Sequence, residues 1–142
     1  MLPGLRTLAS TAGATRGRNQ VLAMPTLQKV TVIDDDPTML KAIERLLRVK
    51  GFDVETFASA EAFLAAKGRA ACLILDIHLG GMSGIELRRR LVASGSEPPT
   101  IFITAIDDEA THKAATAAGC VAYLRKPFLA SSLMGAIDKA AG

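Results

Sequence analysis

Short apolar runs alternate with longer amphipathic segments between residues 29 and 142. The runs predict five strands, at residues 29–33, 53–57, 71–75, 100–103 and 120–124. The segments between and after them predict five helices, at residues 37–50, 59–67, 84–94, 108–118 and 128–140. Near-continuous apolar strands need cover on both faces. The alternation therefore predicts a parallel sheet with helices on each side, a doubly wound α/β fold.

The composition excludes several classes of protein. The chain has 142 residues, of which 49% are hydrophobic and 22% charged, as in an ordinary globular domain. No apolar run is long enough to span a membrane as a helix. Two cysteines without regular Cys or His spacing exclude a disulfide framework and a zinc module, and they favour a reducing compartment such as the cytoplasm. One Tyr and no Trp argue against a stacking surface for single-stranded nucleic acid.

The basic charge of the chain belongs to its first 28 residues. They carry Arg6, Arg16 and Arg18 and no acidic residue, which accounts for the whole net charge of +3. A nucleic-acid-binding function is therefore not indicated for residues 29–142. Residues 1–28 lack hydrophobic periodicity and are predicted to be a disordered tail. Their composition also resembles a transit peptide, and Met24 offers an alternative translation start.

Polar side chains follow four of the five predicted strands. Asp34 and Asp35 come after the first strand, Asp76 after the third, Thr104 after the fourth and Lys126 after the fifth. In an open parallel sheet these positions meet where the strands end, which is where such sheets bind ligands. Clustered carboxylates repel, and Mg²⁺ together with a lysine would neutralise them. This set of groups is typical of a site for phosphoryl transfer.

Two alternatives compete for the first acidic cluster. Asp36 precedes a Pro-Thr pair, which is typical of a helix N-cap. Residues 34–38 also satisfy the Asp-x-Asp-x-Thr pattern of haloacid-dehalogenase-like phosphatases, in which Asp34 would be the nucleophile and Asp36 the general acid and base. Against that enzyme, Lys126 follows the later acidic pair instead of preceding it. Residues 29–142 are also too few for its usual core and cap, and Asp76 would have no role.

Four motifs together resemble the receiver domain of bacterial two-component response regulators, the CheY-like family. They are IDDD at residues 33–36, LILD at 73–76, ITA at 103–105 and YLRKPF at 123–128. The resemblance covers residues 29–142. It implies a flavodoxin-like sheet with the strand order 2-1-3-4-5.

The resemblance assigns the acidic residues. Asp76 matches the aspartate that accepts a phosphoryl group from a histidine kinase. Asp34 and Asp35 match the acidic pair that holds Mg²⁺, Asp35 directly and Asp34 largely through water. The backbone carbonyl of His78 would be a further ligand.

It also assigns the groups that respond to phosphorylation. Thr104 matches a hydroxyl that moves to bind a phosphoryl oxygen, and Lys126 matches a lysine that pairs with the phosphoryl group. Tyr123 matches the aromatic switch residue that turns inward when Thr104 moves. The bond between Lys126 and Pro127 is expected to be cis. The face formed by the fourth helix, fifth strand and fifth helix would then change for a partner protein to bind.

The function implied is that of a stand-alone receiver in a phosphorelay. Its partners would be a histidine kinase or histidine phosphotransfer protein and an unidentified protein target, without nucleic acid or membrane. A homodimer induced by phosphorylation stays open. No activity is expected beyond its own phosphorylation and dephosphorylation. The alternative is an interaction module that keeps the fold and works without phosphorylation.

Several other residues receive structural interpretations. His78 and His112 are expected at the surface, and Cys72 and Cys120 as buried thiols in strands that are not neighbours. Residues 88–90, three consecutive arginines, are expected to form a solvated helix face, with a docking patch as the alternative.

Overall fold

Residues 29–142 are described here from a computed structural model, and the predicted tail lies outside them. The strands are β1 (Lys29–Ile33), β2 (Asp53–Phe57), β3 (Cys72–Asp76), β4 (Thr100–Thr104) and β5 (Ala122–Arg125). The helices are α1 (Pro37–Val49), α2 (Ala60–Ala65), α3 (Gly84–Ala93), α4 (Glu109–Ala118) and α5 (Ala130–Ala141). All neighbouring strands are parallel, in the order β2-β1-β3-β4-β5. This order confirms the predicted fold.

The strand register brings the ends of the strands together. Ile33 pairs with Leu75 between β1 and β3, and Asp76 pairs with Ile103 between β3 and β4. The residues that follow these strands therefore share one end of the sheet, which we call the carboxyl end. The opposite end, where the strands begin, is the amino end.

Apolar side chains fill both faces of the sheet. One face carries Val32 and Ile74, which pack with apolar residues of α1 and α5. The other face carries Leu73 and Leu75, which pack with residues of α2, α3 and α4. Successive side chains of a strand point to opposite faces, so uninterrupted apolar runs are what a sheet covered on both sides requires.

Side-chain caps fix where four of the helices begin. Each cap accepts a hydrogen bond from a backbone N–H of the first turn, and the caps are Asp36, Ser59, Ser83 and Asp108. The cap predicted for Asp36 is confirmed. The fifth helix lacks such a cap and begins at Ala130, not at residue 128, because the backbone of Leu129 is extended. Phe128 instead packs against the core.

Arg88 corrects the prediction of a solvated arginine face. Arg89 and Arg90 are exposed, but Arg88 is buried. Its guanidinium donates to the backbone oxygens of Ala118 (3.2 Å) and Pro98 (2.8 Å), and it also reaches the Thr100 hydroxyl (3.4 Å). Residue 88 lies on the same helix face as the apolar positions 85 and 91, so it points inward.

The remaining structural predictions hold in part. Cys72 is buried, whereas Cys120 is only half-buried because it lies in the loop before β5 and not in the strand. His78 and His112 are at the surface as predicted. None of the helices in residues 29–142 is long and apolar enough to cross a membrane.

Candidate functional site

Three carboxylates meet at the carboxyl end of the sheet. Asp34 and Asp35 follow β1, and Asp76 ends the neighbouring strand β3. One oxygen from each carboxylate lies within 4.8 Å of the others. Asp34 is fully buried and Asp76 is only 4% exposed, whereas Asp35 faces solvent. The strand register explains why residues 42 positions apart in the chain come together, as the sequence predicts.

A lysine ammonium joins two of these carboxylates. Lys126 Nζ donates to Asp34 Oδ2 at 2.7 Å and to Asp76 Oδ2 at 3.3 Å. Its backbone N–H donates to the Thr104 carbonyl oxygen, which extends the β4–β5 pairing to this position. The bond between Lys126 and Pro127 is cis, as expected.

Burial and mutual repulsion change the acidity of the site. Burial, and next the negative charge of Asp34, raise the pKa of Asp76 to about 6, against the opposing effect of Lys126. Burial lowers the pKa of Lys126, but the hydrogen bond to Asp34 and the charges of both carboxylates outweigh it, so the net shift is upward. The ammonium therefore stays charged at neutral pH.

The donor set fits a hard divalent cation. Three carboxylates face one ammonium, which leaves two negative charges without a counter-charge when all three are ionised. Oxygen ligands with an exposed member, Asp35, suit Mg²⁺, which keeps several of its waters. Backbone amides orient the carboxylates: Asp36 N donates to Asp34, His78 N to Asp76 and Gly80 N to Asp35. The residues that would hold the cation are thus Asp34, Asp35 and Asp76, and the role of the His78 carbonyl stays a prediction.

Thr104 lies at this end of the sheet but turns to its own loop. The residue is fully buried. Its hydroxyl donates to the Ile106 carbonyl oxygen (2.9 Å) and accepts from the Ile106 N–H (3.0 Å). These two bonds close a tight turn at the start of the β4–α4 loop, residues 105–108.

Tyr123 holds the same loop from the other side. Its hydroxyl donates to Asp107 Oδ1 at 3.1 Å, and its ring packs edge-to-face against His112 with centroids 4.8 Å apart. Burial and the nearby Asp107 raise the pKa of Tyr123 to about 12, so the phenol stays protonated as a donor. Thr104 and Tyr123 thus both hold the β4–α4 loop, which leads from this end of the sheet to α4.

Sequence reasoning missed two acidic residues around the site. Asp107 holds Tyr123, and its only signal is its place three residues after Thr104. Glu61 in α2 accepts a hydrogen bond from Met82 N at 2.8 Å, a contact across 21 residues. In the sequence Glu61 reads only as a first-turn acid that favours a helix start.

Comparison with known proteins agrees with this geometry. The family model for the response regulator receiver domain matches residues 30–138. This chain belongs to that family. Response regulator protein TodT of Pseudomonas putida is 40% identical over 113 residues, which is 78% of this chain and 50% of the relative. Transcriptional regulatory protein FixJ of Bradyrhizobium diazoefficiens is 35% identical over 82% of this chain and 58% of its own length.

Solved structures give the same result. The receiver protein from Burkholderia phymatum is 41% identical, with a TM-score of 0.70, and the match covers 80% of this chain and 94% of that one. Receiver domains are signalling domains. Members of this family typically use Mg²⁺ and have histidine kinases as partners. This chain spans about half the length of the curated relatives it matches first.

Proposed function

We propose that Asp76 accepts a phosphoryl group from a histidine kinase or a histidine phosphotransfer protein in a reaction that requires Mg²⁺. The observation that carries the proposal is the position of Asp76. It is buried at the carboxyl end of the sheet, shares a lysine with Asp34 and lies within reach of the exposed Asp35. An ionised carboxylate in such a position is a nucleophile with its counter-charges already in place.

The proposed phosphoryl transfer to Asp76 can be written so that bonds and electron pairs balance. An oxygen of ionised Asp76 forms a bond to phosphorus as the phosphorus–nitrogen bond of the donor's phosphohistidine breaks. The electron pair of that bond leaves with the imidazole. Lys126 keeps its proton and pairs with the phosphoryl oxygens. Mg²⁺ bound by the three carboxylates would supply the remaining positive charge that the transfer needs.

The proposed response to phosphorylation follows from the three hydrogen bonds that hold the β4–α4 loop, two at Thr104 and one at Tyr123. Phosphorylation converts the singly charged Asp76 carboxylate into an acyl phosphate, which carries up to two negative charges and offers three acceptor oxygens at the same end of the sheet as Thr104. Turning the Thr104 hydroxyl towards a phosphoryl oxygen breaks its bonds to Ile106 and releases one hold on the loop. Tyr123 then loses its fixed partner Asp107 and turns inward. The surface of α4, β5 and α5 changes, and this is the surface we propose a target protein reads.

The partners beyond the kinase are part of the proposal. FixJ is named as a transcriptional regulatory protein, and the curated relatives extend well beyond the matched region. Action as a stand-alone receiver stays a prediction, as does the absence of nucleic-acid binding by residues 29–142, and a phosphorylation-induced homodimer stays open.

Intact-mass measurement tests the chemistry directly. The protein is incubated with a small acyl phosphate in Mg²⁺ or in EDTA, as wild type, Asp76→Asn and the matched exposed control Asp138→Asn. We expect one phosphoryl adduct on wild type and on the control, and none on Asp76→Asn or in EDTA.

Other outcomes would identify the alternatives. No adduct on wild type, with acyl phosphate or with candidate kinases, would favour an interaction module that works without phosphorylation. An adduct that persists in Asp76→Asn and disappears in Asp34→Asn would instead indicate phosphatase-like chemistry at Asp34.

A further inference from the structure

The loop between β3 and α3, residues 77–83, is fixed firmly at its base. Gly84 N donates to the Ile77 carbonyl oxygen at 2.9 Å. A Cβ at Gly84 would collide with the backbone oxygen of Asp76, so the first residue of α3 packs directly on the end of β3. The base of the loop is therefore packed closely against the main chain of Asp76.

The tip of the loop, residues 80–82, is held by two carboxylates from outside the loop. Gly80 N donates to Asp35 Oδ2 at 3.3 Å, and Met82 N donates to Glu61 Oε2 at 2.8 Å. The side chain of Met82 also packs partly against the core. The shorter bond is the one to Glu61, a residue that has no place in the acidic cluster.

Because the tip contains glycines, the hydrogen bond from Met82 to Glu61 is an important restraint on its conformation. Gly81 has a φ of +78°, and a Cβ there would lie 2.6 Å from Glu61 Oε2, so the backbone passes directly beside this carboxylate. Two consecutive glycines, Gly80 and Gly81, give the tip wide conformational freedom when nothing restrains it. The hydrogen bond from Met82 also lowers the pKa of Glu61, as expected for a bond to the ionised form.

Glu61 and Asp35 are linked through this tip. Glu61 accepts a hydrogen bond from the Met82 N–H, and two residues earlier in the chain the Gly80 N–H donates to Asp35. Asp35 is the exposed member of the acidic cluster, so this amide is the only hydrogen-bond partner of its carboxylate among the described residues. A cation bound at an oriented carboxylate loses less entropy in ordering its ligand.

We propose that Glu61 is a positioning residue for the Mg²⁺ site, which acts by holding the loop tip so that the Gly80 amide orients Asp35. The proposal rests on the proposed function in naming Mg²⁺ as the ion. Glu61 touches neither the ion nor the phosphoryl group. Its loss should therefore weaken Mg²⁺ binding and leave the transfer rate at saturating Mg²⁺ unchanged.

The test compares three variants with wild type. Glu61→Ala removes the acceptor, Glu61→Gln keeps an acceptor oxygen without the charge, and Glu86→Ala is the control. Glu86 is also an exposed first-turn acid, but its carboxylate pairs with Arg90 and makes no hydrogen bond to the loop. Mg²⁺ affinity is measured by calorimetric titration, hydrogen exchange at the Met82 and Gly80 amides by NMR, and phosphoryl transfer by intact mass.

We expect Glu61→Ala to bind Mg²⁺ about threefold to tenfold more weakly than wild type. This effect is smaller than the loss of affinity usually seen when a group that hydrogen-bonds directly to a metal ligand is removed. Its Met82 amide should exchange faster. Glu61→Gln should restore most of the affinity, and Glu86→Ala should match wild type. Gly81→Ala should mimic Glu61→Ala, and the two changes combined should weaken binding by less than the product of the single effects.

The outcomes separate this proposal from the proposed function. Wild-type affinity in Glu61→Ala, with normal phosphorylation of wild type, overturns the role of Glu61 alone. Equal weakening in Glu61→Gln and Glu61→Ala also overturns it, because charge and not the hydrogen bond would then be responsible. Absence of Mg²⁺ binding and of phosphorylation in wild type overturns both.

Discussion

Two cationic side chains that are largely shielded from solvent lie at opposite ends of the sheet, Lys126 partly buried and Arg88 buried, and their surroundings differ in charge. Lys126, at the carboxyl end, contacts two carboxylates, with a third nearby. The guanidinium of Arg88 lies at the amino end, where it contacts only uncharged oxygens at the end of α4 and near the start of β4. Both side chains are well shielded from solvent, so burial alone does not distinguish them.

This difference in charge distinguishes a functional site around Lys126 from a purely structural contact around Arg88. Around Lys126 negative charge is in excess, so the cluster has room for another cation and for groups that rearrange when charge is added. Around Arg88 every contact is neutral, and the guanidinium complements the carboxyl end of a helix. We therefore expect the contacts of Arg88 to stay the same when Asp76 is phosphorylated as proposed. Arg88 thus joins α3, α4 and the start of β4 as a fixed support.

The largest expected effect that tests this contrast is a change in the rate of phosphoryl transfer when Lys126 is replaced. Lys126→Met should slow phosphoryl transfer by about two to three orders of magnitude, the usual loss when a charge-stabilising donor is removed. Intact-mass time courses with an acyl phosphate measure it, with the exposed Lys139→Met as control. A rate within twofold of wild type would mean that Lys126 only balances charge in the resting protein.

The matching change at the amino end should affect stability and not chemistry. Arg88→Met leaves the carbonyls of Ala118 and Pro98 without their charged donor, and should lower the free energy of unfolding by about 1.5–3 kcal/mol. Denaturant unfolding measures it, with the exposed Arg89→Met as control. The folded variant should accept phosphoryl at the wild-type rate, and Mg²⁺ should not restore the lost stability. Equal stability of Arg88→Met and Arg89→Met would mean that the contacts of Arg88 do not stabilise the fold.

A smaller effect is expected in the pH dependence of stability without metal. The folded protein holds the proton of Asp76 more tightly than the unfolded chain does, because its pKa is raised from 3.8 to about 6. The free energy of unfolding contributed by this group therefore falls as pH rises from about 4 to about 6.

Asp76→Asn isolates that contribution, because it removes the titrating group. In EDTA the stability of the variant relative to wild type should increase across this pH range and stay constant above it. Thermal unfolding at several pH values measures the difference. A difference that does not vary with pH would show that Asp76 is not held protonated more tightly in the folded protein.

The smallest effect is expected at the β4–α4 loop. Tyr123→Phe removes the hydrogen bond to Asp107, which is partly exposed to solvent and should stabilise the fold by less than about 1 kcal/mol. Hydrogen exchange should accelerate at the Ile106 amide and stay unchanged at amides near Arg88. Unchanged exchange at Ile106 would mean that Thr104 alone holds the loop.

The order and pairing of the elements could be predicted from the sequence because they depend on local patterns. Uninterrupted apolar strands separated by helices allow few topologies, and the polar residues after those strands must meet at one end. The cluster of Asp34, Asp76 and Lys126 follows from that geometry alone. The cap at Asp36 is equally local, since it depends only on the next few residues.

The contacts that escaped prediction join residues whose relation is set only in three dimensions. Arg88 is a charged residue on an apolar helix face, and the inward direction of that face outweighs the usual exposure of arginine. Glu61 meets Met82 only because α2 and the β3–α3 loop lie side by side at the carboxyl end. Asp107 meets Tyr123 only because the strand that carries Tyr123 pairs with β4, directly beside the β4–α4 loop. Neither composition nor periodicity contains that information.

The close packing of Gly84 on the backbone of Asp76 has a consequence for the proposed response. A Cβ at position 84 would collide with the Asp76 carbonyl oxygen, so the first turn of α3 fills the space on that side of the proposed acceptor. The opposite wall, formed by the β4–α4 loop, is fastened by three hydrogen bonds, two at Thr104 and one at Tyr123. For the phosphorylation proposed above, we therefore expect the rearrangement to take place in the β4–α4 loop and to reach α4, while α3 keeps its position.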